Sequence, residues 1–501
     1  MPNYLGIDLG TTGLKAVLAD ERGNIQGSGY CEYPLSIPSP GYAEQDPEAW
    51  YAALCAAVPA ALRAANAAPA SIKGIGFSGQ MHGLVMLDAE KRVLAPAIIH
   101  CDGRAAAQKK RVMEAVGMER LGQWVQNQVH SGFQALSLMW VRENRPELYA
   151  KLRYALLPKD YLRFRLCGEL GTEPTDACST LMYDGIRMRW SRELLSVIGV
   201  DEAILPDAAH LPYEIAGRVT ARAAMETGLA EGTPVAFGGG DQPMQAVGNG
   251  LLDPGQSSLN LGTSGQLFVT AARPVYDPQL RTHTFCHAPQ GVWYVMGAVL
   301  NACLAANWFN EKVLGTRDYV AMHAAAQQTA PGAGGLVFLP YLTGERTPHM
   351  NERARGAFIG LTLGHTRAEM ERAVLEGVAY SLRDSLEIIR GMELPVDRVI
   401  LSGGGARSAV WGQIMADVLG MPLYATETHE EAALGAIICA QVACGEYASL
   451  KEACAAEVRF APGCVEPRRE NRAVYDAGYE IYRRAYASNA PLFEMMAGQG
   501  K

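Results

Sequence analysis

Two short stretches half a chain apart read alike. Leu9-Gly10-Thr11-Thr12-Gly13 closes the apolar run Tyr4–Leu9, and Leu261-Gly262-Thr263-Ser264-Gly265 closes Ser258–Asn260. Strand pattern resumes after each, over Leu14–Ala19 and Gln266–Thr270. Both stretches therefore predict a strand, a tight glycine turn bearing hydroxyls, and a second strand. One such hairpin opening each half predicts two related domains. Five residues alone also fit two ordinary β-turns, so the rest of the chain has to agree. No low-complexity linker divides the chain, and the boundary is placed after the helix that follows Asp241, giving residues 1–246 and 247–501.

The elements between the hairpins alternate. Gly23-Asn24 leads to a third strand near Ile25–Tyr33. Asp46-Pro47-Glu48 supplies an N-cap, a first-turn proline and an acidic residue at the positive end of the helix dipole, opening an Ala-rich helix to about Ala65. Ile72–Phe77 is a strand running into Ser78-Gly79-Gln80-Met81-His82-Gly83. Strands near Leu84–Leu87 and Ala97–His100 follow, the second ending at Cys101-Asp102-Gly103-Arg104, and helices fill most of Ala105–Gly168. In the second half, strands are expected at Val292–Met296, Leu336–Leu339 and Val399–Leu401, and helices at Ala298–Leu314, up to Leu419 and over Glu431–Cys444. The capping box Thr366-Arg367-Ala368-Glu369 opens a long helix to about Gly391. Pro467–Ala487 reads as a charged, aromatic helix clasped on the surface in solvent. Strands that end in glycine-rich polar loops and are followed by helices predict an α/β class with buried sheets.

Phe237-Gly238-Gly239-Gly240-Asp241-Gln242 lies between the strand Thr233–Phe237 and a helix over Gln242–Val247. It places one carboxylate at a strand–helix junction, where α/β folds carry their chemistry. Asp241 there suits a general base, a metal ligand or a helix N-cap.

Composition narrows the function classes. The chain has 501 residues, 49% of them hydrophobic, and a net charge of -8, with no run of Lys or Arg, so a nucleic-acid partner is not expected. The eleven cysteines form no C-x-x-C and are expected to be free core thiols of a reducing compartment, Cys101 included. The start of the chain has a strand pattern rather than a signal peptide, and the longest apolar tract, Ala52–Leu62, is too short for a bilayer. A cytoplasmic protein without membrane contact is expected, as a homodimer by base rate.

Four glycine loops follow strands, at Asp8–Gly13, Gly238–Asp241, Gly262–Gly265 and Gly403–Ala406. Backbone amides and hydroxyls in such turns bind phosphate oxygens without net positive charge. Asp8 at a strand end suits Mg2+ held through water. There is no Walker motif and no dinucleotide fingerprint with its acidic partner.

Taken in order, Gly6-Ile7-Asp8-Leu9-Gly10-Thr11-Thr12-Gly13, Gly79-Gln80-Met81-His82-Gly83, Asp102-Gly103-Arg104, Gly238-Gly239-Gly240-Asp241, Leu261–Gly265, Gly344-Glu345-Arg346-Thr347-Pro348 and Gly403–Arg407 resemble the FGGY carbohydrate kinase family. Gly356–Leu361, Glu369-Met370 and Ala373–Glu376 extend the likeness, which covers nearly the whole chain. The resemblance implies two actin/hexokinase-like (ribonuclease H-like) domains with a catalytic cleft between them. It implies ATP with Mg2+ and a ketopentose as substrates, D-xylulose being phosphorylated at its terminal hydroxyl. Asp241 would be the base, and Asp8 would stand near the metal and phosphates. Gly10, Thr11 and Thr12 on one side, and Gly262, Thr263 and Ser264 on the other, would hold the phosphates. Gly403, Gly404, Gly405 and Ala406 would flank the adenosine. Gln80, Met81, His82, Asp102, Asp241 and Gln242 would reach the sugar.

Several positions depart from the family pattern. His100 stands where a Trp is frequent, Gln242 where Asn is common, and Ser137 and Gln134 replace a Lys and a small residue. His100 and Gln242 keep another ketose (ribulose, L-xylulose) or a pentitol such as arabinitol open as substrate. An actin-like ATP-driven module is the reading from a different class, and the sugar-type loops weigh against it. Arg104 is expected to pair with a carboxylate, Arg407 to solvate a helix end and Lys15 to point away from the site.

Overall fold

The structure, a computed structural model, describes residues 2–498. In the first half β1 (Asn3–Leu9), β2 (Gly13–Asp20) and β3 (Ile25–Glu32) form an antiparallel meander. The helix Pro47–Ala64 then crosses over, its cap made by Asp46 Oδ1 accepting from Glu48 N at 2.9 Å. That crossover lets β4 (Ile72–Gly79) join β1 in parallel. Further on, β5 (Ile215–Arg218) pairs with β6 (Pro234–Ala236), and both β6 and β7 (Gly239–Gly240) run parallel to β4.

The second half repeats the plan. The strands β8 (Gln256–Leu261), β9 (Gly265–Ala271), β10 (His283–Cys286) and β11 (Trp293–Val299) are antiparallel neighbours, while β12 (Arg398–Ser402) and β13 (Leu423–Tyr424) add in parallel beside β8. The series β3-β2-β1-β4-β6 and β11-β9-β8-β12-β13 match in both order and direction. The repeat seen in five residues is thus a repeat of whole sheets, and the hairpin tips join corresponding strands, β1 to β2 and β8 to β9.

The helix Glu431–Ala443 comes from the second half of the sequence but lies on the first half's sheet. The Ala433 and Ala436 carbonyls take the space a Cβ would need at Gly6 and Gly76, and Gly435 meets the Met244 carbonyl on the helix Asp241–Gly248. This close packing ties the strand carrying Asp8 to the helix that starts at Asp241. Gly76→Ala should lower stability by about 1–3 kcal/mol, the cost of overpacking a filled contact, measurable by denaturant unfolding. A shift under a few tenths of a kcal/mol would mean the helix can move aside.

Some expectations need correction. The strand expected at Val292–Met296 runs to Val299, because Gln266 and Gly265 pair with Ala298 and Val299, so the next helix begins only at Cys303 and passes into a π-turn after Trp308. The run before Asp241 breaks at Gly238, whose φ of +68° lies in the region that glycine takes without strain. The C-terminal helix Arg472–Gly498 is no solvated clasp. Its Tyr475 and Tyr482 are fully buried in the second half's core, and Arg372 Nη2 donates to Tyr475 OH at 2.7 Å. All eleven cysteines are free, but Cys101 and Cys464 are exposed rather than in a core. Among the described residues, no helix is long and apolar enough to cross a membrane.

Candidate active site

Asp8 is the penultimate residue of β1. Register sets it beside Lys15 on β2 and Ser78 on β4, and Ser78 beside Gly239 on β7. Ser78 Oγ donates to Asp8 Oδ1 at 2.8 Å. Lys15 does not point away: directly paired residues of antiparallel strands project to one face, and its Nζ forms an ion pair with Glu430 at 2.9 Å. Burial pushes the Asp8 carboxyl above its ordinary range, while the Ser78 bond and Lys15 pull it back. Beyond Asp8, Gly10 and Thr11 are half-buried and Thr12 is exposed, so the hairpin tip is open.

Asp241 follows one row further along, after Gly240, which pairs with Gly79. The helix starts at Asp241 itself with Gly240 as its N-cap, and the Gln242 amide donates to Asp241 Oδ1 at 2.7 Å. Asp241 is therefore not the cap, and its carboxylate is left for other work. Burial, then the negative charge of Asp8, push its pKa up to about 7, where a general base is most effective at neutral pH. Because this carboxyl's pKa is raised, it holds its proton through the weakly acidic range. The kcat/KM of a reaction that uses Asp241 as base should rise tenfold per pH unit below about pH 7 and level off above it. A pH–rate profile flat from pH 5.5 to 8 would remove that role.

The second hairpin reaches the same locality. Asn260, last but one in β8, donates Nδ2 to Gln245 Oε1 on the Asp241 helix at 3.2 Å. Its tip, Gly262–Ser264, is braced from behind, where Ala302 and Leu304 amides donate to the Thr263 carbonyl at 3.1 Å, and Thr263 itself is exposed. Asn260 pairs with Ser402, and the chain then turns at Gly403, whose φ is +85° and where a side chain would strike Asn260. Gly403 and Gly404 are exposed, Ala406 is half-buried and Gly405 packs beneath them on Leu261. Arg407 is exposed.

The sugar-type residues divide. Met81 is buried, and its Sδ lies 2.8 Å from where a Gly240 Cβ would stand, so it backs the Asp241 loop. His82 Nδ1 stands 2.7 Å from the Ser179 carbonyl and so carries the hydrogen, leaving Nε2 as an acceptor; burial keeps the ring neutral. Gln242 is half-buried beside Asp241. Gln80 turns inward, donating to Gln45 Oε1 at 2.9 Å. Asp102 is committed: it accepts from Ala43 N at 2.6 Å and from Arg104 N and Nε at 2.9 Å, with 1% exposure. Arg104 also pairs with Glu44 at 2.7 Å. The pair anticipated for Arg104 exists, and it consumes the Asp102 oxygens. Gln134, one of the departures, donates to the Gly83 and Leu156 carbonyls and holds the loop after His82.

Sequence reasoning missed what lies underneath. Lys159, Asp160, Arg163, Glu173 and Asp176 are all fully buried, with Lys159 Nζ 2.7 Å from Asp160, 3.4 Å from Glu173 and 3.5 Å from Asp176. Thr175 Oγ1 donates to Glu173 at 2.8 Å and accepts from Gly240 N at 3.2 Å. Ser179 Oγ donates to Asp176 and accepts from His82 N at 3.1 Å. One buried lysine thus stands behind both the Asp241 turn and His82. The sole signal was a Lys-Asp pair at a helix start after Pro158.

Among the described residues, no group of three or more His, Cys, Asp or Glu could hold a metal alone. Asp8 and Asp241, close enough for one charge to shift the other, fit a cation that keeps several waters and takes its remaining oxygens from phosphates.

Two family descriptions match the chain: "FGGY family of carbohydrate kinases, N-terminal domain" over residues 3–248, and the C-terminal domain of the same family over residues 258–444. The xylulose kinase of Escherichia coli (strain K12) is 38% identical over 490 residues, covering 98% of this chain and 99% of that protein. A crystal structure titled a xyloylose kinase from Brucella ovis has a TM-score of 0.90 at 36% identity, covering 98% of this chain and 100% of that one. The crystal structure of gluconate kinase from Lactobacillus acidophilus has a TM-score of 0.93 at 26% identity, covering 99% of each.

Proposed function

From the premise that the chain belongs to the FGGY family of carbohydrate kinases and has its two-domain actin/hexokinase-like fold, we propose that it moves the γ-phosphoryl group of ATP to the terminal hydroxyl of D-xylulose, giving D-xylulose 5-phosphate and ADP. The observation that supports this best is the Asp241 carboxylate, unused as a cap and set beside Asp8 with a pKa of about 7. Asp241 takes the hydroxyl proton while the oxygen attacks the γ-phosphorus and the bond to the ADP oxygen breaks. Such a base contributes roughly 10²–10⁴-fold, and alignment and charge neutralisation supply most of the rest.

Gly10, Thr11 and Thr12, with Gly262, Thr263 and Ser264, offer amides and hydroxyls to the phosphates, and Gly403–Ala406 face the adenosine. Asp8 would hold Mg2+ through water, and the bound ion would neutralise charge on the transferring phosphate. Met81, His82 and Gln242 line the sugar, whereas Gln80 and Asp102 act one layer back by fixing the hairpin and the Arg104 loop. The units are residues 1–246 and 247–501, with the helix Glu431–Ala443 of the second seated on the first. Eleven free thiols suit the cytoplasm, and a homodimer is the base-rate assembly.

A second reading, a sister kinase for another ketose, a pentitol or a sugar acid, is favoured by His100 and Gln242 and by the likeness to a gluconate kinase. The test is ADP release with magnesium-ATP against D-xylulose, D-ribulose, L-ribulose, L-xylulose, xylitol, D-arabinitol, D-gluconate and glycerol. A kcat/KM for D-xylulose at least roughly tenfold above the rest, about 1.4 kcal/mol, upholds the reading. A better sugar replaces it, and ATP hydrolysis indifferent to every sugar overturns it.

A further inference from the structure

Past His82, across the Phe133 ring, lies a small cavity that the mechanism above does not use. Ring centroids run 4.6 Å from His82 to Phe133 and 6.0 Å from Phe133 to His283. The cavity holds about 40 Å³, room for one hydroxymethyl group, and Lys109, His130, His283, Glu345 and Arg346 line it. The first two come from the first half of the chain and the last three from the second. At its rim Lys109 pairs with Glu352 across the two halves at 2.6 Å.

Its polar groups are built but unmet. Asn127 Nδ2 donates to the Val125 and Thr284 carbonyls, which fixes Oδ1 as the acceptor facing His283 Nδ1 at 3.1 Å. His283 Nδ1 therefore carries the hydrogen, and Nε2 is a bare acceptor, buried without a partner. Glu345 spends Oε1 on the Leu300 and Arg346 amides, both at 2.7 Å, and its Oε2 has no partner. Arg346 Nε is likewise buried and unmatched. His283 is 3% exposed and Glu345 2%. Buried polar atoms are costly to leave unsatisfied. Two unmet acceptors, on His283 and Glu345, and one cationic donor, Arg346, around so small a space match a hydroxyl beside a carbonyl.

A series of packed rings leads from the cavity back toward the base. Tyr294 feels the charge of Asp241, and from it the wall continues to Phe285 and then to His283, each step 5.6 Å between ring centroids.

We propose that His283, Glu345 and Arg346 form the subsite for the hydroxyketone head of an open-chain ketose, with the C1 hydroxyl on His283 Nε2 and the C2 carbonyl on Arg346, while the far hydroxyl meets Asp241. The proposal rests on the ketose-kinase reading above. It makes the cavity the feature that separates a ketose from glycerol or a sugar lacking the C1 hydroxyl.

The test uses the full chain, with kcat and KM for D-xylulose, 1-deoxy-D-xylulose and ATP in the parent, His283→Leu, His283→Gln and Arg346→Met. No parent turnover on any ketose sinks the ketose reading itself. With turnover present, the parent should prefer D-xylulose over its 1-deoxy analogue by roughly tenfold or more. His283→Leu should erase that preference to within about twofold, His283→Gln, which keeps an acceptor, should restore part of it, and the KM for ATP should not move. Arg346→Met should weaken both ketoses alike, since both keep the carbonyl; its melting temperature, read alongside, separates loss of fold from loss of contact. A folded His283→Leu enzyme that keeps the parent's preference, or a parent indifferent to the C1 hydroxyl, overturns the subsite.

Discussion

Asp241→Asn should fold, bind sugar and ATP as the parent does, and turn over roughly 10²–10⁴-fold more slowly. The amide fills the same volume and keeps an oxygen for the Gln242 amide. What it loses is the ability to take a proton. The substitution also removes a buried carboxylate that the charge of Asp8 opposes, so the variant's stability should not fall. The measurement is kcat and KM for the sugar together with a thermal melt. A large drop in kcat with KM and Tm held identifies an interaction made at the transition state. Near-parent kcat would remove Asp241 as base and leave the two half-sites without a proton acceptor. The pH profile should change with it: the parent's fall below about pH 7 should vanish in whatever activity remains.

The contrast between that residue and its surroundings explains how much the sequence could say. The Asp241 turn and the two hairpins were legible because their geometry is local: a strand, a glycine turn and the next element sit within a dozen or so residues. The capping box at Thr366–Glu369 was legible for the same reason and is present as read. The repeat of the hairpins implied two related domains, and the strand order of one sheet does repeat in the other. Asp102 shows the limit. Its spacing from Arg104 suggested a pair, but nothing in the chain revealed the Ala43 amide on its other oxygen, and without that contact the carboxylate looked free for sugar. Lys15 was misjudged because its facing depends on register with Asp8. The helix Glu431–Ala443 has apolar residues all round, which says that it is buried but not that it would lie on the other half's sheet. His283 and Arg346 lie far apart in sequence, and only the fold makes them neighbours.

Lys159→Met should be the most damaging single change outside the cleft, lowering stability by about 3–5 kcal/mol, the cost of breaking a buried ion cluster from one side. Lys159 is fully buried, as are Asp160, Glu173 and Asp176 around it. Without the ammonium, Arg163 is the one cation left in the cluster, 3.6 Å from Asp160, and Glu173 and Asp176 lose theirs. Burial already holds the Glu173 and Asp176 carboxyls above their ordinary range, and Lys159 is what pulls them back. Removing it raises them further. A carboxyl with a raised folded-state pKa binds more protons folded than unfolded, so stability is greatest at acidic pH and is lost as pH rises through the folded value. The Lys159→Met melting temperature should therefore fall more steeply from pH 5 to pH 8 than the parent's, and the added substitution Glu173→Gln should recover part of the loss by removing one orphaned charge. Because Thr175 ties Glu173 to the amide before Asp241 and Ser179 ties Asp176 to His82, whatever Lys159→Met enzyme stays folded at low temperature should also show a raised sugar KM. A variant as stable as the parent at pH 8 would mean that water or rearrangement reaches those carboxylates, and the cluster would then not be what holds the Asp241 turn in place.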